Sequence, residues 1–374
     1  MNRKNNNISH SLACRLYLLI NLAPIIYSIN HIHLKINNIS DIKQVLSKSN
    51  KILVSTHTNP DGDAIGSSLA LYHFLRGIGK EAYLIVPNLY PEFISWLPGN
   101  DDILVYERDR AKVKAALNQI DTIFCLDYNA INRSGIMQDV LKASEAVKIM
   151  IDHHPEPAKE DFDHLISTTE ISSTSELLYD VLHALDPDFQ ITKDIASALY
   201  VGIMTDTGSF SFACNRPETF QVTAKLLETG IDGEWIHRKV YDTFSENRLR
   251  LLGYSLSDKL VVMSEYATAY IALSREDLRR FDYQVGDTEG LVNYALSVEG
   301  IAMAVLLTER KGRIRLSFRS KGNFSVNDVA RKHFNGGGHR NAAGGDSYDS
   351  LENTIAKLNS LIPTFKEELL KEIE

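Results

Sequence analysis

The feature that most constrains this chain is a series of short apolar, β-branched runs alternating with helical segments. Residues 51–56, 82–86, 122–126 and 147–151 are such runs. Runs this short and continuously apolar read as strands buried on both faces. A helical segment over 64–76 follows the first run, entered through Thr58-Asn59-Pro60-Asp61-Gly62 and ended by Gly77 and Gly79, and another covers 110–119. Asp63 is the expected cap of the first helix. Strands alternating with helices predict an α/β fold, with a parallel sheet covered by helices on both faces.

At 374 residues the chain exceeds the usual size of one domain. A helical stretch over 234–260 precedes a second region, where 267–273, 301–307 and 313–318 read as strands and Lys311-Gly312 as the turn of a hairpin. Residues 350–374 read as an amphipathic helix. The expected division is an extension over 1–38, a first domain over 39–232, a helical linker over 233–260 and a smaller α/β domain over 261–365.

The extension stands apart. It is rich in Asn and Ile, and its apolar run over 16–27 is broken by Asn21 and Pro24, short of the ~20 residues that a membrane span requires. A basic start before an apolar run is a poor copy of a signal peptide. Ser11-Leu12-Ala13-Cys14 is a weak lipoprotein box with its apolar run on the wrong side. The expectation is a disordered or mis-assigned extension on a cytoplasmic protein without membrane association. Three scattered cysteines, Cys14, Cys125 and Cys214, make no disulfide framework or zinc cluster. A net charge of −8 argues against binding long duplex nucleic acid, which needs a basic face, while leaving room for a small anionic substrate.

Three of the apolar runs lead into titratable side chains: His57, Asp127 and Asp152-His153-His154. In open parallel sheets the carboxyl ends of the strands form the ligand crevice, so residues distant in sequence can meet there. Asp61 and Asp63 lie in the turn after the first run, and an apolar helix over 196–205 leads into Asp206. Singly, each has an ordinary reading as a turn, a cap or a polar loop. Jointly, His57, Asp61, Asp63, Asp127, His153 and Asp206 make a site of carboxylates and imidazoles without a thiolate. Such donors favour Mn2+ or Mg2+ over a structural zinc site, and crowded carboxylates need cations between them.

These residues carry a family resemblance. His57-Thr58-Asn59-Pro60-Asp61-Gly62-Asp63-Ala64, Leu126-Asp127-Tyr128-Asn129, Asp152-His153-His154-Pro155, Ser172-Ser173-Thr174-Ser175 and Thr205-Asp206-Thr207-Gly208 resemble the motifs of DHH/DHHA1 phosphoesterases, and within them the nanoRNase/pAp phosphatase group. Gly336-Gly337-Gly338-His339 followed by Ala342-Ala343-Gly344 is similar to that family's glycine-rich motif. The resemblance implies a two-metal centre, with Mn2+ as the natural ion and Mg2+ or Co2+ as substitutes. It implies one ion on His57, Asp61 and Asp127, and a second on Asp63, Asp127, His153 and Asp206, so that Asp127 bridges. Asp127, His154 and Asp152 are then the expected catalytic residues, with His154 beside the scissile phosphate and Asp152 orienting an imidazole from behind.

Between Glu309 and Arg340 nine Lys and Arg face only two carboxylates, a local charge of +7 in an acidic chain. Several of these cations read as a solvated hairpin face. Arg313, Arg315 and Arg319 share one strand parity. Arg319, Ser320, Gly336, Gly337, Gly338 and His339 form the expected substrate clamp, the glycines through bare backbone N–H groups. The expected substrates are short RNA oligonucleotides and pAp, and a homodimer is compatible with this reading. Cyclic di-AMP or its linear product pApA is the alternative substrate, and a nucleotide sensor with an inactive metal site is the remote one.

Overall fold

The structure, a computed structural model, describes residues 38–117 and 120–373. The expectations for residues 1–37 lie outside the described residues. Strands β1 (Lys51–Ser55), β2 (Glu81–Val86), β3 (Leu104–Val105), β4 (Thr122–Leu126), β5 (Val147–Asp152) and β6 (His164–Ser167) form one sheet. Its order is β3-β2-β1-β4-β5-β6, with every neighbouring pair parallel.

Period-two alternation explains why these strands are apolar throughout. Ile52, Val54 and Phe124 face one core with Leu69, Leu178 and Leu199, from helices Gly62–Gly77, Thr174–Leu185 and Lys193–Asp206. Leu53, Ile123 and Met150 face another with Val113 and Leu141, from helices Arg110–Leu117 and Gln138–Ala143. Each fully buried Leu or Ile contributes roughly 2 kcal/mol relative to exposure, so both faces resist any slip in register.

Strands β7 (Leu260–Met263), β8 (Thr268–Leu273), β9 (Met303–Arg310), β10 (Arg313–Ser320), β11 (Gly337–His339) and β12 (Ala342–Ser347) form the second sheet, in the order β11-β12-β10-β9-β8-β7. Only β8 and β9 pair in parallel. Lys311-Gly312 turns the β9–β10 hairpin, with Gly312 at φ 79°, a backbone conformation that favours glycine. Helices cover both faces of this sheet as well.

The linker differs from the expected single helix. It is two helices, Gly233–Tyr241 and Glu246–Asp258, and the Ser245 side chain caps the second by accepting from Arg248 N. Ile236 and Val240 of the first join the core of the parallel sheet, whereas Leu251 of the second joins that of the mixed sheet. The two halves bury their apolar faces in different cores, which accounts for the break. The C-terminal helix is likewise interrupted, with Leu351–Leu361 and Lys366–Lys371 separated by a 3-10 turn containing Pro363, because proline cannot continue the backbone hydrogen bonds. Among the described residues no helix is long and apolar enough to cross a membrane.

Candidate metal centre and substrate cleft

β1 and β4 are neighbours, yet the chain builds outward from β1 through β2 to β3 and from β4 through β5 to β6. Their carboxyl ends therefore flank a topological switch point, where an open parallel sheet leaves a crevice. His57 follows β1, Asp127 follows β4, and Asp152 ends β5 ahead of His153 and His154. Asp127 is left-handed at φ 62°, and its N–H donates to Ile151 O at 3.1 Å. Aspartate tolerates this conformation better than most side chains.

The carboxylate roles after β1 differ from expectation. Asp61, in extended conformation, caps helix Gly62–Gly77, and its Oδ1 accepts from Asp63 N at 3.1 Å and Ala64 N at 3.0 Å. Asp61 Oδ2 is left 3.9 Å from His57 Nε2. Asp63 is not the cap but lies within the first turn, where its carboxylate accepts from Thr174 N at 2.7 Å and Ser175 N at 2.9 Å. Those amides open helix Thr174–Leu185, where unpaired N–H groups favour an anion. Gly202 makes room for this arrangement, since a Cβ there would collide with Ser175 Oγ.

Asp127 divides its two oxygens. Oδ2 is 3.4 Å from His57 Nε2, while Oδ1 is 3.6 Å from His153 Nε2 and accepts from Thr174 Oγ1 at 2.9 Å. His153 Nε2 also lies 3.4 Å from Asp206 Oδ2 and 3.9 Å from Asp63 Oδ2. His57 Nδ1 donates to Thr58 O at 2.8 Å, which turns the lone pair of Nε2 toward the carboxylates. Donor atoms of His57, Asp61 and Asp127 form one group within 4.8 Å of one another, and those of Asp63, His153 and Asp206 form a second.

Without cations this cluster is electrostatically incomplete. Burial pushes Asp63 up to about 7, aided by the charge of Asp61 against the hydrogen bonds from Ser175 and Thr174. Burial, then the charge of Asp63, brings Asp127 up to about 7. Asp206 is raised well above the carboxylate range by burial and by Asp63, Asp61 and Asp127. Burial disfavours the His57 imidazolium, but Asp127 and Asp61 more than offset it. Oxygen-rich donor groups held together against such repulsion fit divalent cations.

Asp152 has no side-chain exposure and accepts from His154 N at 3.0 Å and from His154 Nδ1 at 2.7 Å. These two bonds fix the orientation of the His154 ring. Burial, together with Arg133, holds His154 well below the usual histidine range, so the ring is neutral and its Nε2 is the nitrogen left for the cleft side.

A cleft of about 900 Å³ separates Asp61, His153 and Asp206 from Arg319, Asn293 and His339 of the second domain. The His339 ring centroid lies 4.3 Å from that of His154 and 4.5 Å from that of His153. Arg319 feels the charges of Asp206, Glu289 and Asp61. An Arg331–Glu156 ion pair ties the two walls together.

Other parts of the expected clamp do different work. Two of the three glycine amides are satisfied within the protein: Gly336 N donates to Ala330 O and Gly338 N to Asn327 Oδ1. Gly337 and Gly338 belong to β11, paired with β12, and a Cβ at Gly336 would collide with Gly344 O. Close strand packing thus requires Gly336 and Gly338, where a Cβ would collide with Gly344 O and with Ala342 O, whereas Gly337 has ordinary room for one. Ser320 Oγ donates to Phe324 O and accepts from Asn341 Nδ2, a structural pairing at the cleft rim. Arg313 and Arg315 turn to Asp346, each at 3.5 Å. Residues not singled out from the sequence include Thr174, Glu289 and Asn293. Thr174 sits in the Ser172–Ser175 motif beside the helix cap Ser173, and that cap signature was the available signal.

Two family models match the chain: the DHH family, N-terminal domain, over residues 51–203, and the DHHA1 domain over residues 264–369. The bifunctional oligoribonuclease and PAP phosphatase NrnA of Thermus thermophilus is 32% identical over 294 residues, covering 78% of this chain and 83% of that protein. The Bacillus subtilis protein of the same name is 28% identical over 327 residues, covering 86% of this chain and 98% of that one. A crystal structure of an exopolyphosphatase-related protein from Bacteroides fragilis superposes with a TM-score of 0.84 at 42% identity, covering 90% of this chain and 98% of that one. With a parallel sheet ending in His and Asp donors and a second domain across the cleft, the chain belongs to the DHH/DHHA1 family of phosphoesterases, metal-dependent hydrolases of phosphoester bonds.

Proposed function

We propose that this chain hydrolyses short oligoribonucleotides to mononucleotides and removes the 3′-phosphate of pAp, using two Mn2+ ions. The observation that carries the metal assignment is the divided carboxylate of Asp127, one oxygen toward His57 and the other toward His153. His57, Asp61 and Asp127 would hold one ion, and Asp63, Asp127, His153 and Asp206 the other. Bound there, the ions supply Lewis acidity to phosphoryl oxygens and make water a better nucleophile. The relatives from Thermus thermophilus and Bacillus subtilis carry both substrate activities in their names.

The chain's own side chains account for the remaining chemistry. Asp152 locks the His154 ring, so that Nε2 is held at the cleft for a phosphoryl or leaving-group oxygen. Arg319 and His339 hold the substrate from the second domain, countering phosphate charge beside a carboxylate-rich wall. A cleft bounded by two domains suits a few nucleotides better than a long polymer, and Mg2+ or Co2+ would be the substitutes for Mn2+.

The test is a parallel Mn2+-dependent assay on pAp, a labelled diribonucleotide, a 24-nucleotide RNA, cyclic di-AMP and polyphosphate. The last is included because the Bacteroides fragilis protein is described as exopolyphosphatase-related. Fast turnover of pAp and the diribonucleotide, with the longer RNA slow, is expected. Preferential turnover of cyclic di-AMP or polyphosphate would refute the substrate assignment while leaving the metal centre standing.

A further inference from the structure

The second-domain wall of the cleft is mostly complementary to phosphate, with Arg319, Lys321 and Arg340 lining it, but it carries one carboxylate, Glu289. Its segment is anchored through the main chain, since the Arg248 guanidinium donates to Glu289 O at 3.2 Å. Among the described residues the Glu289 carboxylate makes no hydrogen bond and no ion pair, and Arg248 and Arg319 act on it only through charge at longer range. Four residues further on, in helix Leu291–Leu296, Asn293 lines the same wall with a buried side-chain Oδ1 that has no partner. Whichever way that amide is turned, one polar atom is left unsatisfied.

A carboxylate repels the phosphates that its neighbours attract, so its natural partner in the cleft is a hydrogen-bond donor on the same ligand. Beside the phosphates of a nucleotide, the ribose hydroxyls are such donors. pAp and an RNA strand share one feature here: a free 2′-hydroxyl next to a phosphate-bearing O3′. Resting on the substrate reading above, we propose that Glu289 accepts a hydrogen bond from the ribose 2′-hydroxyl, with Asn293 completing the pairing, so that this wall selects ribonucleotides over deoxyribonucleotides. The 2′-hydroxyl is the group by which a protein distinguishes RNA from DNA. Removing the hydroxyl so that its acceptor is left unpaired corresponds to a discrimination of about 10- to 100-fold.

The experiment compares kcat/KM for a diribonucleotide and its 2′-deoxy counterpart in the wild type, Glu289→Ala, Glu289→Gln and Asn293→Ala. It also compares calorimetric Kd values for pAp and 2′-deoxy-pAp in the same proteins. A wild-type preference for ribose of at least about 10-fold, collapsing toward unity in Glu289→Ala and partly kept in Glu289→Gln, supports the assignment. Ribo and deoxy values that fall together in Glu289→Ala would show that Glu289 merely positions Arg319, and would overturn it. A preference that follows the base rather than the sugar, when adenine is exchanged for uracil, would overturn it too. If the wild type turns over no nucleotide, the substrate reading fails, and the ribo-to-deoxy Kd ratio still decides the role of Glu289.

Discussion

The crowded carboxylates make the metal-free protein an unusual case for stability against pH. Asp63 and Asp127 are buried, and each is lifted from an ordinary value of 3.8 to about 7. A folded state that retains a proton the unfolded chain has released loses stability as pH rises between the two values. This contribution is therefore intact below about pH 4, declines through the range up to about 7, and is fully lost above it. Counting a single retained proton shared by the pair, the loss is about 4 kcal/mol, or a fall in Tm of roughly 10 °C for a domain of this size. The assay is a thermal melt of chelator-treated protein from pH 5 to 8, in parallel with saturating Mn2+. The metal-free Tm should fall with pH, and the Mn2+-induced gain should grow, because the ligands must be deprotonated to bind. Asp63→Asn should flatten the metal-free slope. A metal-free Tm that rises or stays level, with a pH-independent Mn2+ shift, would refute the electrostatic reasoning.

Other perturbations separate the parts of the site. Thr174→Val removes the hydroxyl that holds Asp127 Oδ1; Mn2+ affinity by calorimetry should weaken by about 10- to 100-fold with the fold unchanged. Arg319→Ala and His339→Ala should chiefly raise KM for the diribonucleotide, and an unchanged KM in both would remove them from substrate binding. Gly336→Ala forces a methyl group against Gly344 O and should cost about 1–3 kcal/mol in denaturant melts; an unaltered midpoint would return the glycine run to a role in ligand contact.

The strand-end donors were legible because period and position are local: a short apolar run predicts a strand, and a sheet of such strands predicts where its ends converge. The division of labour between Asp61 and Asp63 was not. Either could cap the helix on sequence grounds, and the choice is settled by Thr174 and Ser175, brought to Asp63 by a helix more than 100 residues downstream. The break at Ser245 was written in the sequence as a cap, but the change from one core to the other across it depends on tertiary packing. The glycine run read as a clamp of bare amides, and not as a strand, because its partner strand, Ala342–Ser347, is glycine- and alanine-rich and carries little strand signal of its own. Glu289 and Asn293 drew no notice because neither belongs to a dense motif; only the cleft reveals an acceptor without a partner.

Asp127, with one oxygen toward His57 and the other toward His153, is the residue proposed to be shared by two ions. Mn2+ content per chain, measured by mass spectrometry after equilibrium dialysis, tests this most directly when the wild type is set beside Asp127→Ala. Two ions should be retained by the wild type, and Asp127→Ala should lose tight binding of both, along with all turnover. An Asp127→Ala protein that keeps two Mn2+ ions and hydrolyses pAp would contradict the account.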